Sequence, residues 1–305
     1  MVFYHLYSFI CCFDTFRYAF LKWEGMNWFD AINHAFSTIS TGGFSTKNNS
    51  MAFWANNYAI LWTTTIFMFL SGINFIVHLK VLKGDFSGFK SEEVRWYFII
   101  FIVLSVVLTL WHLEKSDDSL LFCLTHSFFT ISSILTTTGF VSLDYVQWGT
   151  FAIAVIFVAM MVGANAGSTA GGVKVIRYVV LFKNLASQIK QMLHPNAIIG
   201  VYIDKERVTS KILSSVTGFF FLYVITNIIL TLYLFGSGYD FLTSFSASLA
   251  CIGNIGPGFA HVGPVDNFAF FTSSQKIVLS IFMIIGRLEF YTFIILLSRD
   301  FWKKF

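Results

Sequence analysis

Charge is scarce in this chain. Asp, Glu, Lys and Arg make up 12% of its 305 residues, whereas soluble domains carry about 25%. The shortage excludes an ordinary water-soluble globule, because 56% of the residues are hydrophobic and 38 are Phe, more apolar surface than one core of this size can hide. Cysteine is scarce too: Cys11, Cys12, Cys123 and Cys251 all sit in apolar stretches and form no C-x-x-C pair. They read as small buried hydrophobes and say nothing of redox compartment. His34, His126, His194 and His261 lack ligand spacing, so no protein-held metal site is expected. No nucleophile–base constellation is present either, so neither an enzyme nor a cofactor is expected, nor a nucleic-acid partner. No basic leader precedes the first apolar run and no small-residue cleavage site follows it, so no cleavable signal peptide is expected.

What the chain does have is apolar runs long enough for a bilayer, which takes about 20 residues. The clearest are Tyr58–Leu79, Trp96–Leu113, Trp148–Val162, Ile212–Phe235 and Ile277–Leu297. The run Val2–Leu21 is weaker, being interrupted by Asp14 and Arg17. One unit recurs along the chain: a spanning run, a short Ser/Thr-rich apolar stretch, a glycine-containing turn and a second spanning run. The turns are Ser40–Ser45 (S-T-G-G-F-S), Thr136–Phe140 (T-T-T-G-F) and Asn254–Gly258 (N-I-G-P-G). Gly42, Gly139 and Gly256 are 97 and 117 residues apart, too far for a short solenoid repeat and suited to a two-span hairpin.

The stretches before these turns (Phe29–Ile39, Leu121–Ile134 and Phe241–Cys251) are too short to cross a bilayer and read as re-entrant half-helices. Irregular backbone at membrane depth needs surrounding protein or a wet cavity, so three such turns imply that the chain surrounds a wet path. The fold class expected is therefore all-α integral membrane, built of helix–pore-loop–helix units. Fourteen of the basic residues follow the second spans, which puts those loops in the cytoplasm and the glycine turns outside. Glu24, Asp30, Glu114, Asp117, Asp118, Asp144, Asp240 and Asp266 fall at the outer end, where they would concentrate cations or serve as ordinary loop charges. Asp30 and Asp240 lie at half-helix starts, where capping is the natural role. Trp54, Trp62, Trp111 and Trp148 fit an interfacial belt.

Three features could carry chemistry. Glycine turns can aim backbone carbonyls at a dehydrated cation, and the half-helices would point their negative C-terminal ends at it. The second feature is Gly163–Gly172 (G-A-N-A-G-S-T-A-G-G), which breaks an otherwise long helix from Trp148 to about Lys190. Four glycines there each disfavour helix by about 1 kcal/mol relative to alanine, so a flexible gate in the path is expected, with a packing kink as the alternative. A phosphate loop is excluded, because Lys174 does not directly follow a glycine and Val175 stands where Ser or Thr is needed. The third feature is Arg287, inside the last span with Glu289 nearby. A charge at that depth is a functional candidate, facing the path or paired with Glu289.

S-T-G-G-F-S, T-T-T-G-F and N-I-G-P-G resemble the second, third and fourth filter segments of the TrkH/TrkG/KtrB superfamily of potassium transporters. A-G-S-T-A-G-G-V-K-V-I-R resembles the family's intramembrane gating loop, and H-P-N-A (His194–Ala197) with G-R-L-E (Gly286–Glu289) resembles the TrkH/TrkG branch. The resemblance implies a filter at Thr41, Gly42, Gly43, Thr138, Gly139, Phe140, Asn254, Ile255 and Gly256, which would hold the transported K+. It also implies a gate at Gly163, Asn165, Gly167, Ser168, Thr169, Gly171 and Gly172, with Arg287 facing the pore. It further implies a multi-pass protein of the bacterial inner membrane, a homodimer, and a cytoplasmic nucleotide-binding regulatory partner of the TrkA type. Such proteins have four repeats and this chain shows three, at 1–89, 90–205 and 206–305. The expectation is therefore a potassium-uptake subunit incomplete by itself, or a non-conducting fragment that associates with full-length subunits.

Overall fold

The computed structural model describes residues 15, 17–197 and 199–303, without the side chains of residues 299 and 300. Most of the expected span Val2–Leu21, with Cys11, Cys12 and Asp14, lies outside the described residues, as does Lys304. Apart from one two-stranded hairpin, the described elements are helices, and one order of helices recurs. A helix leads into a buried half-helix, the half-helix ends in a glycine turn, and a broken helix returns. The elements are α1 (residues 17–23), α2 (Trp28–Ile39), then α3 (Tyr58–Ser71) and α4 (Phe75–Leu82). Next come α5 (Glu92–Lys115), α6 (Leu120–Leu135), then α7 (Thr150–Met161) and α8 (Val175–Leu193). Last are α9 (Ser210–Gly236), α10 (Phe241–Gly253), then α11 (Ser273–Arg287), α12 (Phe290–Leu297) and the short α13 (Arg299–Lys303).

Among the described residues two helices, α5 and α9, are each long and apolar enough to cross a membrane alone. Two of the expected straight spans are instead bent pairs: α3 and α4 meet at 100°, α11 and α12 at 109°. The causes are local. Gly72 closes α3, and a Cβ there would strike the Tyr97 hydroxyl and the Ala164 side chain; Asn74 then opens α4 by accepting from the Ile76 N–H at 2.8 Å. At the second bend Glu289 takes φ +60°, outside helical space. The expected break in the middle unit is there, between Met161 and Val175.

The half-helices α6 and α10 are largely surrounded by protein, and α2 buries one face, with Trp28, Phe29 and Phe36 exposed on the other. In α6 Cys123, His126, Phe129 and Ile131–Leu135 are buried, and in α10 every residue from Ser246 to Gly253 is buried. Each starts on a side-chain cap that satisfies an orphan N–H: Asn27 for α2, Ser119 for α6 and Asp240 for α10. Asp240 thus caps as its position suggests, and its bonds to Thr243 hold the carboxyl below the usual carboxylate range. Asp30 does not cap. It sits buried in the first turn of α2, where it accepts from Thr46 at 2.5 Å and pairs with Lys47 at 3.1 Å, anchoring the segment after the first turn. Glu24 and Asp144 are likewise engaged, Glu24 with Thr63 at 2.5 Å and Asp144 as a cap for the Val146 N–H.

Trp148 departs from the expected belt, because it is buried and stacked on His112 with ring centroids 4.3 Å apart. A hairpin that the sequence pattern did not suggest pairs β1 (Tyr202–Ile203) with β2 (Glu206–Arg207). It turns through Asp204 and Lys205, both at positive φ, and Asp204 fastens it to the start of α5 by accepting from the Glu92 N–H at 2.8 Å.

Candidate ion path: three turns and the loop against them

The three half-helices end in the same way. In each, an N–H two or three residues past the helix bonds back five residues while the N–H before it bonds back three, the Schellman arrangement. The first pair is Gly42 to Ser37 (2.7 Å) and Thr41 to Thr38 (3.1 Å). The second is Thr138 to Ser133 (2.9 Å) and Thr137 to Ile134 (3.0 Å), and the third is Ile255 to Ala250 (2.9 Å) and Asn254 to Cys251 (3.1 Å). Thr41, Thr137 and Asn254 take left-handed φ of 52°, 55° and 54°. Two residues on, Gly43, Gly139 and Gly256 take φ of 69°, 80° and 106°, a region where a Cβ is strained.

This fixes the register of the repeat. The residue matching Gly139 and Gly256 is Gly43, not Gly42, whose φ is ordinary. The turns also touch in sequence. A Cβ on Gly43 would strike the Thr138 carbonyl, and one on Gly139 the Ile255 carbonyl. Gly256 packs loosely, its missing Cβ being 3.8 Å from the Gly139 Cα. Thr41, Gly43, Thr138, Gly139, Ile255 and Gly256 are therefore one assembly, with Phe140 and Ile255 buried and Phe44 exposed.

Asparagine tolerates the left-handed region, but a β-branched residue there is an outlier. The two threonines occupy it while their hydroxyls bond the glycine-rich loop. Thr41 Oγ1 donates to the Thr169 carbonyl at 2.9 Å, and Thr137 Oγ1 accepts from the Gly171 N–H at 2.6 Å. Thr169 Oγ1 donates to the Ile39 carbonyl at 2.9 Å. Gly171 lies so close to α10 that a Cβ would fall 2.5 Å from the Gly253 carbonyl. The structure thus presses the loop directly against the ends of the half-helices.

The rest of the loop is held from the other side. The Asn165 N–H donates to the Gly72 carbonyl (3.0 Å), the Ala166 N–H to Glu93 Oε1 (2.6 Å), and the Gly167 carbonyl accepts from the Phe75 N–H (3.2 Å). Its entry and exit are tied to each other, Gly163 N–H to the Val173 carbonyl at 2.7 Å. Ser168 Oγ donates to the Asn165 carbonyl at 2.6 Å, and Gly172 takes φ +67°. Every one of these bonds involves backbone, so the loop is held at many points despite its composition.

Arg287 is the last residue of α11 and is exposed. Glu289 does not pair with it: Arg177 of α8 takes Glu289 at 2.7 Å and stacks 3.7 Å above the Phe219 ring. The side-chain cation bonded to a loop carbonyl is Lys174, on Ala170, with Arg287 within electrostatic reach of it. Lys174 and Arg177 fall inside the A-G-S-T-A-G-G-V-K-V-I-R motif without a role of their own having been expected, and nothing in the sequence singled out Glu93 or Asn74.

A profile described as TrkH, cation transport protein, matches residues 1–304. The chain is 37% identical over 299 residues to the Trk system potassium uptake protein TrkG of Escherichia coli K12, covering 97% of this chain and 60% of that one. It is 34% identical over 288 residues to TrkH of Salmonella typhimurium, covering 93% and 59%. Its fold superposes on the crystal structure of the potassium transporter TrkH from Vibrio parahaemolyticus with a TM-score of 0.90 at 33% identity, over 97% of this chain and 64% of that one. The chain spans about 60% of the length of the curated relatives it matches. With the profile matched over nearly every residue and the transporter's helical membrane fold reproduced, the chain belongs to the TrkH family of cation transport proteins.

Proposed function

We propose that this chain supplies three consecutive repeats, at 1–89, 90–205 and 206–305, of a potassium-uptake path, in which the glycine turns are the filter and Gly163–Gly172 the gate. The observation that carries this reading is the recurrence, in three contacting turns, of one backbone: a left-handed residue, one intervening residue and a left-handed glycine. A backbone held this way can present carbonyl oxygens to a dehydrated cation, and the half-helix C-termini add negative potential there. The loop pressed against the turns is placed to obstruct ions, and Lys174 and Arg287 at its edge oppose cation entry. The named activity of the relatives, potassium uptake, points to the same ion.

The orientation that follows from the basic loops puts the turns outside and the α4–α5, α8–α9 and C-terminal segments in the cytoplasm. A bacterial inner membrane, a homodimer and a TrkA-type regulatory subunit belong to this reading. The test is a chimaera in which residues 1–305 replace the matching segment of the E. coli TrkG relative, expressed in a bacterium deficient in potassium uptake. Growth on low potassium, lost when Gly139→Ser is added, is the expected result. A chimaera that inserts in the membrane yet takes up no potassium would sink the assignment.

A further inference from the structure

Away from the turns and the loop, the structure gathers three metal-ligating side chains that the ion path does not use. His112 lies in the last turn of α5, Asp118 in the connection to α6, and Cys123 in the first turns of α6. Their ligand atoms all fall within 4.8 Å of one another. His112 is 3% exposed and Cys123 fully buried, whereas the Asp118 side chain is 45% exposed. The imidazole Nε2 is 3.8 Å from Asp118 Oδ2, and its buried Nδ1 has no hydrogen-bond partner among the described residues. The ring is fixed in place by its stack on Trp148. Cys123 Sγ is 3.6 Å from the Ser116 hydroxyl. A cavity of about 450 Å³ opens at this point, bordered by His112, Ser116, Asp118, Phe122 and Trp148, which gives an ion a way in from the aqueous end.

We propose that His112, Asp118 and Cys123 form a three-ligand site for a zinc-type divalent ion at the α5–α6 corner. The donor set decides the class of ion. One thiolate, one imidazole and one carboxylate suit borderline-soft Zn2+ and its substitute Co2+, whereas K+ and Mg2+ seek oxygen cages. Tetrahedral bonds of about 2.0–2.3 Å place neighbouring ligand atoms about 3.3–3.8 Å apart, so closure asks for a shift of about 1 Å. His112 Nε2 and Asp118 Oδ2 are already 3.8 Å apart, so the shift falls on the approach to Cys123, where rotation of the thiol and movement of the exposed Asp118 loop can supply it. On binding, the Cys123 thiol gives its proton to solvent as the sulfur–metal bond forms, and water from the cavity completes the fourth position. The spacing H-x5-D-x4-C matches none of the familiar zinc patterns, so the cluster is visible only in the folded chain.

The test is Co2+ titration of the purified full chain in detergent, read by the thiolate-to-cobalt charge-transfer band and the visible bands of tetrahedral cobalt. Expected is one equivalent of Co2+ per chain, displaced by Zn2+. The charge-transfer band should vanish in Cys123→Ser and persist when Cys11, Cys12 and Cys251 are all changed to Ala. Asp118→Asn, on an exposed side chain that should not disturb folding, should weaken binding by about tenfold or more. The proposal is overturned if folded wild-type chain gives no thiolate band, if Cys123→Ser keeps it, or if Asp118→Asn leaves the affinity unchanged.

Discussion

Changing Thr137 to Val removes one atom's chemistry and little else. Valine keeps the β-branch, and with it the strain of the left-handed position, but it withdraws the oxygen that accepts the Gly171 N–H at 2.6 Å. Gly171 is buried, so its N–H is left without a partner and without water. An unsatisfied buried donor costs about 1–3 kcal/mol. If the loop detaches by local opening, that cost appears as about a 5- to 150-fold rise in the exchange rate of the amide, at about 1.4 kcal/mol per decade. Hydrogen–deuterium exchange on peptides covering residues 163–174 reads this directly, in the chain itself and without a transport assay. Thr137→Ser, which restores the oxygen, should return exchange close to the original rate. If folded Thr137→Val exchanges at Gly171 as slowly as the parent, the hydroxyl does not hold the loop and the coupling of turn to loop drawn above is wrong.

Other outcomes follow from the same geometry. Gly139→Ala, with φ +80° and a carbonyl in the path of its Cβ, should lower folded yield or potassium selectivity more than Gly256→Ala, which shares the left-handed strain but whose Cβ would meet only the Gly139 Cα at an ordinary 3.8 Å; folded yield in detergent and relative K+ and Na+ uptake by the chimaera check the order. Deleting Ala166–Ala170, or changing Lys174→Met or Arg287→Ala, should raise potassium flux per folded protein in liposomes, with selectivity largely kept; wild-type or lower flux from all three would return the loop to a packing role. Glu289→Gln should cost under about 1 kcal/mol, because that carboxylate is half exposed and such pairs are worth little. Arg177→Ala should cost more in a denaturation series, since it also removes the guanidinium from the Phe219 ring.

What was legible in the sequence was set by short-range chemistry. The four glycines of Gly163–Gly172 announce a broken helix without help from the fold, and the cap at Asp240 sits directly before its apolar run, whereas for α2 the cap is Asn27 and not Asp30. The bend at residues 72–74 was not legible. It rests on one glycine crowded by Tyr97 and Ala164 and on Asn74 facing Gly167, contacts made by residues far along the chain. At the other bend the left-handed residue is Glu289 itself, and its partner Arg177 is 112 residues away. In the first turn two adjacent glycines left the register open by one residue, and only the left-handed φ of Gly43 settles it. Composition alone could not pick Lys174 over Arg287 as the loop's partner, because both are isolated cations near a helix break.

The left-handed residues at the three turns are two threonines and an asparagine, and the difference bears on how the assembly can move. Thr41 and Thr137 hold the loop through their hydroxyls, while Asn254 turns its amide to the Met283 carbonyl on α11 at 3.1 Å. A displacement of the loop therefore unloads two neighbouring turns and leaves the third clamped to its own helix. Those two turns are also the ones in strained backbone, so they have free energy to gain by relaxing once the loop lets go, and the asparagine turn has little. Such a mouth would not widen evenly like an iris. It would swing on one side, with the α10–α11 corner as the fixed jamb and the first two turns as the leaf.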